Sequence, residues 1–522
     1  LLLSHKLFFV WLCFVCRGIF YCSLLPLWDG FDEWAHFAVI ERMATSKSPL
    51  IDRNDPVSRE IDASLALAPL PRGMTSIPIG GVVRDKYWQL PPEERARREY
   101  ELAHLPPHWS AEYPGGGMPA YEASQSPLYY WLLAVPAMAL REVPLVDRVW
   151  LTRIITVLAG SLCIPIGYLA ARRFFRDAGS AVGVTIAIAL LPELALTLSR
   201  VSNESLAVVL STALVLVAMG WVETPKPSAA IAVGILLGLS LLTKAYALTA
   251  IPALIVIYLW KAIANPRARR AIFWQAVLTL TLAAAISGWW YARTYLQTGT
   301  MSGLDEALML KNIGTMEKLR GVLDVDWWPA LRTVLLSHVW YGGWNLVGLP
   351  RWLDLFWLAV MTVTFYGFLR SRPALHDSRA VLLLSFYVFF WLGQAYQVAA
   401  LFLSKGSSTA MGGWYLYSVI WAEVLLGTVA IRSLVPTGWR GRAFNAILIA
   451  IAVTDLYGLH AELIRYYARP ANGGALELSR LLLNQPHLLG GYGLGILWFI
   501  YIAATVALVI MGLQSSKRYS AL

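Results

Sequence analysis

Charge is what this chain lacks most. Only 14% of its 522 residues are Asp, Glu, Lys or Arg, against about a quarter in an average soluble domain. That shortage excludes an ordinary cytosolic enzyme. Combined with 57% hydrophobic residues, it also excludes intrinsic disorder and collagen-like repeats. Cysteine is scarce as well, and four in a chain of this length make no disulfide framework. Cys13, Cys16 and Cys22 all lie in the first apolar run, so the Cys13/Cys16 pair reads as lipid- or helix-facing. No internal repeat, separate soluble domain or nucleotide-binding loop is legible. The run from Gly491 to Gly495 lacks the preceding strand and the final spacing of a dinucleotide fingerprint. The net charge of +11 would suit nucleic acid, but the basic residues sit in short clusters between apolar segments. That is the pattern of a protein that spans a membrane many times, and no nucleic-acid partner is expected.

A membrane-spanning helix needs roughly 20 apolar residues. Twelve runs qualify, near 7–27, 149–171, 181–200, 205–222, 229–247, 248–262, 271–292, 354–370, 380–398, 413–431, 443–459 and 489–513. The expected fold is therefore an all-α polytopic membrane protein of about twelve spans, forming one integral domain over 1–522. The run 127–140 is short for a span and is expected not to cross. With that count, Arg172, Arg173, Arg176, Lys226, Lys261, Arg267, Arg269, Arg270, Arg370, Arg372, Arg379, Arg432, Arg440, Arg442, Lys517 and Arg518 all fall on the cytoplasmic side. The first run, followed directly by Trp28-Asp29-Gly30, reads as an uncleaved signal anchor. A large outer segment, 28–148, is expected to carry juxtamembrane helices. Smaller outer segments follow at 293–353, 399–412 and 460–488.

Within this apolar chain the ionisable residues need explaining. If 28–37 is helical, Asp29, Asp32, Glu33 and His36 stand at i, i+3, i+4 and i+7 and share one face. Such a cluster suits base chemistry or metal binding, or it decorates a helix N-terminus with acids. Glu204 lies in the tight turn between two apolar runs, Lys244 interrupts another, and Arg293 follows Trp289-Trp290-Tyr291. Charges at such depth are functional candidates, whereas Lys244 and Arg293 also suit snorkelling to headgroups. The expected topology puts Asp32, Glu204, Lys244 and Arg293 on the same outer side. Glu122 precedes the short apolar run, as a surface acid or a site residue.

In this order the pieces resemble the GT-C superfamily of membrane glycosyltransferases, in particular the group of protein O-mannosyltransferases and lipid A aminoarabinose transferases. Asp32-Glu33-Trp34-Ala35-His36-Phe37 is similar to that group's Asp-Glu-x-x-His-aromatic motif, and Ser126-Pro127-Leu128-Tyr129-Tyr130 to its Pro-Pro-Leu-Tyr-Tyr. Tyr168-Leu169-Ala170-Ala171-Arg172-Arg173, Asn203-Glu204-Ser205, Leu241-Leu242-Thr243-Lys244 and Trp290-Tyr291-Ala292-Arg293-Thr294 resemble further motifs. Ser126, Glu204 and Thr294 depart from the family's usual Pro, Asp and Asn. The resemblance covers 7–300 and leaves 301–522 as variable C-terminal helices and loops.

The resemblance implies an inverting transfer of a sugar from a polyprenyl-phosphate donor to an acceptor hydroxyl, with the site facing the periplasm or outside. A bacterial inner membrane is the expected setting. Asp32 is then the expected base, with Glu33 beside it, and Lys244 and Arg293 hold the donor phosphate. Asp29, His36, Glu122 and Glu204 orient the acceptor or a divalent cation such as Mg, Mn or Zn. Membrane lipids and a protein, lipid or glycan acceptor are the other expected partners. A transporter or lipid flippase, or a catalytically inactive lipid-binding subunit, would also use buried charges. No inverted repeat or pair of broken helices in matching halves favours the transporter.

Overall fold

The structure is a computed structural model that describes residues 5–371, 377–470 and 474–519, with side chains to residue 515. Arg372 and the side chains of Lys517 and Arg518 lie outside the described residues. Among the described residues ten helices are long and apolar enough to cross a membrane. An eleventh is obtained if Ala178–Leu190 and Pro192–Leu198, bent by 64°, count as one broken span. The bend falls where Pro192 supplies no backbone N–H and disfavours a helical Leu191.

The expected twelve spans are thus too many. The odd one out is the run 229–247, whose helix is Pro227–Leu241. Fifteen residues rise only about 22 Å at 1.5 Å each, short of a hydrocarbon core of about 30 Å. The helix stops because Lys244 is extended, at φ −155°, and a 3₁₀ turn over Ala245–Thr249 follows. Leu128–Ala139, at 12 residues, is also too short to cross. The hairpin of Glu204–Glu223 and Pro227–Leu241 nevertheless brings Lys244 back beside Glu204, so the two helices run antiparallel.

Close packing holds these helices in register. A β-carbon on Gly234 would lie 2.8 Å from the Thr279 carbonyl oxygen, and one on Gly238 2.8 Å from Ile286 Cβ. This small-xxx-small spacing lets the backbone of Pro227–Leu241 approach that of Arg269–Thr298. A fully buried ion pair, Arg17 with Asp455 at 2.7 Å, joins the first helix to a late one. Tyr21 and Tyr501 donate to the same carboxylate at 2.9 and 2.6 Å.

The segment 28–148 after the first helix, expected to be the outer one, is a folded layer rather than a loose loop. It contains Glu33–Ser46, Arg59–Leu67 and Pro92–Ala103, two 3₁₀ turns, and a two-residue parallel pairing of Pro69–Leu70 with Val82–Val83. Trp28, Trp34, Ile61, Leu65 and Tyr130 are buried in its own apolar core. Arg148 clamps the layer from below by reaching Glu41 at 3.0 Å and also Glu60. Burial pushes the Glu60 carboxyl up to about 8, despite Arg148 and with help from Glu41.

Candidate functional site

Asp32 lies at the junction between the first span and the outer layer. Its backbone is left-handed, at φ 52° and ψ 18°, a conformation that Asp tolerates better than most residues. This turn starts the helix at Glu33 and not at Asp29. The expectation that Asp29, Asp32, Glu33 and His36 share one face therefore fails, and the four carry separate tasks.

Asp32 is half-buried while the residues after it are closed off. It accepts a 2.5 Å hydrogen bond from the Tyr121 hydroxyl. Burial raises its carboxyl above the usual range, against the pull of Tyr121, Arg200, Lys244 and Lys405. His36 lies 3.5 Å from Glu122 and 2.8 Å from the Tyr130 hydroxyl. Burial, with Lys244 and Arg200 adding to it, holds the imidazole well below its ordinary value, so at neutral pH it is uncharged. Burial and then Asp32 push Glu122 up to about 8, as expected when two carboxyls share a dry site.

Lys244 meets Glu204 in direct contact and donates to Asn203 at 2.9 Å. Its ammonium also stands 5.2 Å from the centre of the Tyr415 ring. Tyr246 donates to the second Glu204 oxygen at 3.1 Å and accepts from Ser418 at 2.6 Å. Lys244 therefore enters the site with its charge matched by Glu204. Asp32, Glu122, His36, Glu204 and Lys244 form one neighbourhood, linked by the electrostatic influence of Lys244 on Asp32, His36 and Glu122.

Three expected site residues are not part of it. Glu33 is fully buried and receives both prongs of Arg153 at 2.7 and 2.5 Å, with the Val201 amide at 2.9 Å. Arg153 also donates to the carbonyls of Cys22, Leu25 and Pro26. The pair caps the end of the first span, and Glu33 is a structural anchor. Asp29 is held by Tyr467 and Asn345 with Arg84 at 3.8 Å, tying the outer layer to late chain segments. Arg293 is half-buried, with its guanidinium 5.3 Å from its own helix's Trp290 ring. The buried face of its helix runs through Ala283, Ser287, Trp290, Tyr291 and Thr294, which turns Arg293 aside. Among the described residues it makes no contact with the Asp32 group.

A second buried cation, Arg200, lies beside the Asp32 turn. It is 2% exposed, and a β-carbon on Gly30 would come within 2.7 Å of Arg200 Cβ, so it packs on the turn that carries Asp32. Its guanidinium stands 5.0 Å from the Phe31 ring centre and 5.7 Å from that of Trp414. Its Nε has no hydrogen-bond partner. Arg17, Arg84, Arg148 and Arg153, equally buried, each face a carboxylate. Among the described residues Arg200 has none within salt-bridge distance, and the carboxyls that feel its charge, Asp32 and Glu193, stand farther off. Cation–π contacts contribute about 2 kcal/mol at best, whereas desolvating an ion costs several kcal/mol. The rings alone do not offset the burial of this charge.

Among the described residues no three His, Cys, Asp or Glu side chains converge as a metal ligand set. Beside Lys244 runs an apolar groove of about 400 Å³ lined by Leu237, Leu241, Leu248, Ile251, Ala284 and Tyr291, among others. Leu241 and Leu248 flank the Lys244 turn, and the Tyr291 hydroxyl bonds the Leu241 carbonyl at 3.0 Å.

Residues 124–291 match the family model described as dolichyl-phosphate-mannose-protein mannosyltransferase. The resemblance to GT-C membrane glycosyltransferases is borne out. The matched segment includes Arg200, Glu204 and Lys244, while Asp32 and Arg293 lie outside it. The fold is similar to that of ArnT from Cupriavidus metallidurans bound to undecaprenyl phosphate. That chain is 13% identical, the match covers 98% of this chain and 75% of the other, and the TM-score is 0.50. ArnT in the apo state is 15% identical, with 92% and 76% covered and a TM-score of 0.42. The oligosaccharyltransferase of Archaeoglobus fulgidus in the apo form is 12% identical, with 98% and 56% covered and a TM-score of 0.41. No curated protein matches this chain.

Reading the GT-C pieces from sequence missed Arg200, Tyr121 and Tyr415. Arg200 carried a signal: it is the one basic residue between 181 and 222, and an isolated charge in an apolar run is a functional candidate. Tyr415 carried none, because its place beside Lys244 depends on packing across 171 residues of chain.

Proposed function

We propose that the chain is an inverting glycosyltransferase that moves a sugar from a polyprenyl-phosphate donor to an acceptor hydroxyl on the extracytoplasmic side. The observation that carries the reading is the partly open Asp32 carboxylate, with the cations Arg200 and Lys244 near it and an apolar groove whose lining includes Leu241 and Leu248, on either side of the Lys244 turn. A polyprenyl tail suits such a groove, and ArnT, which shares the fold, is described bound to undecaprenyl phosphate.

The chemistry follows from the groups present. Asp32 takes the proton of the acceptor hydroxyl as the oxygen attacks the anomeric carbon. A raised carboxyl is a stronger proton acceptor than an ordinary aspartate, which favours this role. On the opposite face the bond from anomeric carbon to phosphate oxygen breaks, and its electron pair goes to the phosphate. The donor's single negative charge thereby becomes two on the departing polyprenyl phosphate, and the nearby cations stabilise that development.

The test is transfer of a labelled sugar from a polyprenyl-phosphate donor by the full-length protein in lipid nanodiscs. Asp32→Asn keeps the shape and the left-handed turn but removes the proton acceptor. It is expected to lose about 10²- to 10⁴-fold in rate while donor binding persists. Transfer at the wild-type rate by Asp32→Asn would remove Asp32 from the mechanism.

A further inference from the structure

We infer that Arg200 is the side chain that grips the phosphate oxyanion of the polyprenyl-phosphate donor, and that the chain keeps it buried for that ligand and not for its own stability. This rests on the donor reading above and extends it to a residue outside the motifs.

Two independent observations carry it. The first is that a guanidinium 2% exposed has an Nε with no hydrogen-bond partner and no carboxylate within salt-bridge distance, Asp32 and Glu193 feeling its charge only from farther off. Every comparably buried arginine among the described residues is matched by an acid. A planar, permanently charged fork with free donors is suited to a phosphate, which accepts two parallel N–H bonds. The second is position. Arg200 leans on the Gly30–Asp32 turn beside the stacked Phe31 and Trp414 rings, and its charge is felt by both Asp32 and His36.

The charge balance of the site singles out the same residue. Lys244 is neutralised by Glu204, His36 is uncharged, and Asp32 carries one negative charge before transfer. Arg200 is then the one buried cation of this neighbourhood, among the described residues, whose charge is not already matched by a contacting acid. When Asp32 accepts the acceptor's proton, it becomes neutral as the departing phosphate gains its second negative charge. The net charge around the reaction is therefore the same before and after, and Arg200 makes it one unit less negative throughout. Without it, an additional uncompensated negative charge would remain beside the phosphate throughout.

The experiment measures thermal unfolding and lipid affinity of the full-length protein, with undecaprenyl phosphate and undecaprenol as probes. The two share a tail and differ in the phosphate. Arg200→Met and Arg200→Gln are expected to melt no lower than wild type without lipid, because they remove an unmatched buried charge. They should bind undecaprenyl phosphate at least about tenfold more weakly and undecaprenol equally well. Unchanged affinity for undecaprenyl phosphate in either variant would overturn the inference while leaving the donor reading intact. Failure of both variants to fold would overturn it too, since it gives Arg200 no structural partner. A wild-type protein that binds undecaprenyl phosphate no better than undecaprenol would instead remove the phosphate donor, and this role of Arg200 with it.

Discussion

Glu33 is the residue on which a motif-based and a structure-based reading disagree most sharply, and Glu33→Gln separates them. In the structure Glu33 and Arg153 are both closed to solvent and joined by two hydrogen bonds of 2.7 and 2.5 Å. Removing one member of such a pair leaves the other as an uncompensated buried charge, at a cost of about 3–5 kcal/mol. Gln retains an acceptor for the Val201 amide, so the loss falls mainly on Arg153. Arg153→Met should be worse, because it strands Glu33 and also frees the carbonyls of Cys22, Leu25 and Pro26. The double variant should cost less than the sum of the two, since neither charge is left alone. Melting curves of the four proteins in one detergent, with sugar transfer measured well below each Tm, complete the cycle. Glu33→Gln is expected to lower Tm by several degrees and to keep much of its activity at low temperature. A variant that melts like wild type yet transfers a hundredfold more slowly would refute the structural role and return Glu33 to the chemistry.

Two other perturbations probe the outer layer. Tyr121→Phe removes the hydrogen bond that favours ionised Asp32, so the acid limb of the kcat/KM profile should move to higher pH; an unmoved limb, or one moved to lower pH, contradicts the base assignment. Glu60 has a folded-state carboxyl raised from 4.5 to about 8, first by burial. The stability it contributes is therefore fully present below pH 4.5 and is lost as pH rises through about 8. Glu60→Gln should flatten the fall in Tm between pH 5 and 8.5, and an identical slope in variant and wild type would disprove it.

Much of this was legible in the sequence because lipid simplifies the grammar. Apolar runs of span length became helices at ten of the expected places, since a backbone in hydrocarbon must satisfy itself. The meeting of Glu204 and Lys244 was foreseeable from two charges at helix ends on one side. The fate of Asp29 and Glu33 was not. A helical wheel drawn from Asp29 assumes a helix that starts there, and the left-handed turn at Asp32 moves the start by four residues. Their partners Asn345, Tyr467 and Arg153 lie 120 to 438 residues away, beyond any local pattern. The shortfall of Pro227–Leu241 as a span was equally hidden, because composition continued to look apolar past the residue where the backbone turned.

The Asp29 tie restricts how such a protein can be taken apart or recombined. Its carboxylate sits beside the proposed reaction centre in sequence, yet two of its three partners come from the stretch that bears no family motif. Residues 7–300 expressed alone would leave a buried acid facing Arg84 and no hydroxyl or amide to complete its shell. Grafting the late helices of one such protein onto the early half of another carries the same risk unless an Asn and a Tyr arrive at positions equivalent to 345 and 467. What looks in the sequence like a conserved-type head and a free tail is, mechanically, an arch, with its keystone contributed from the far end.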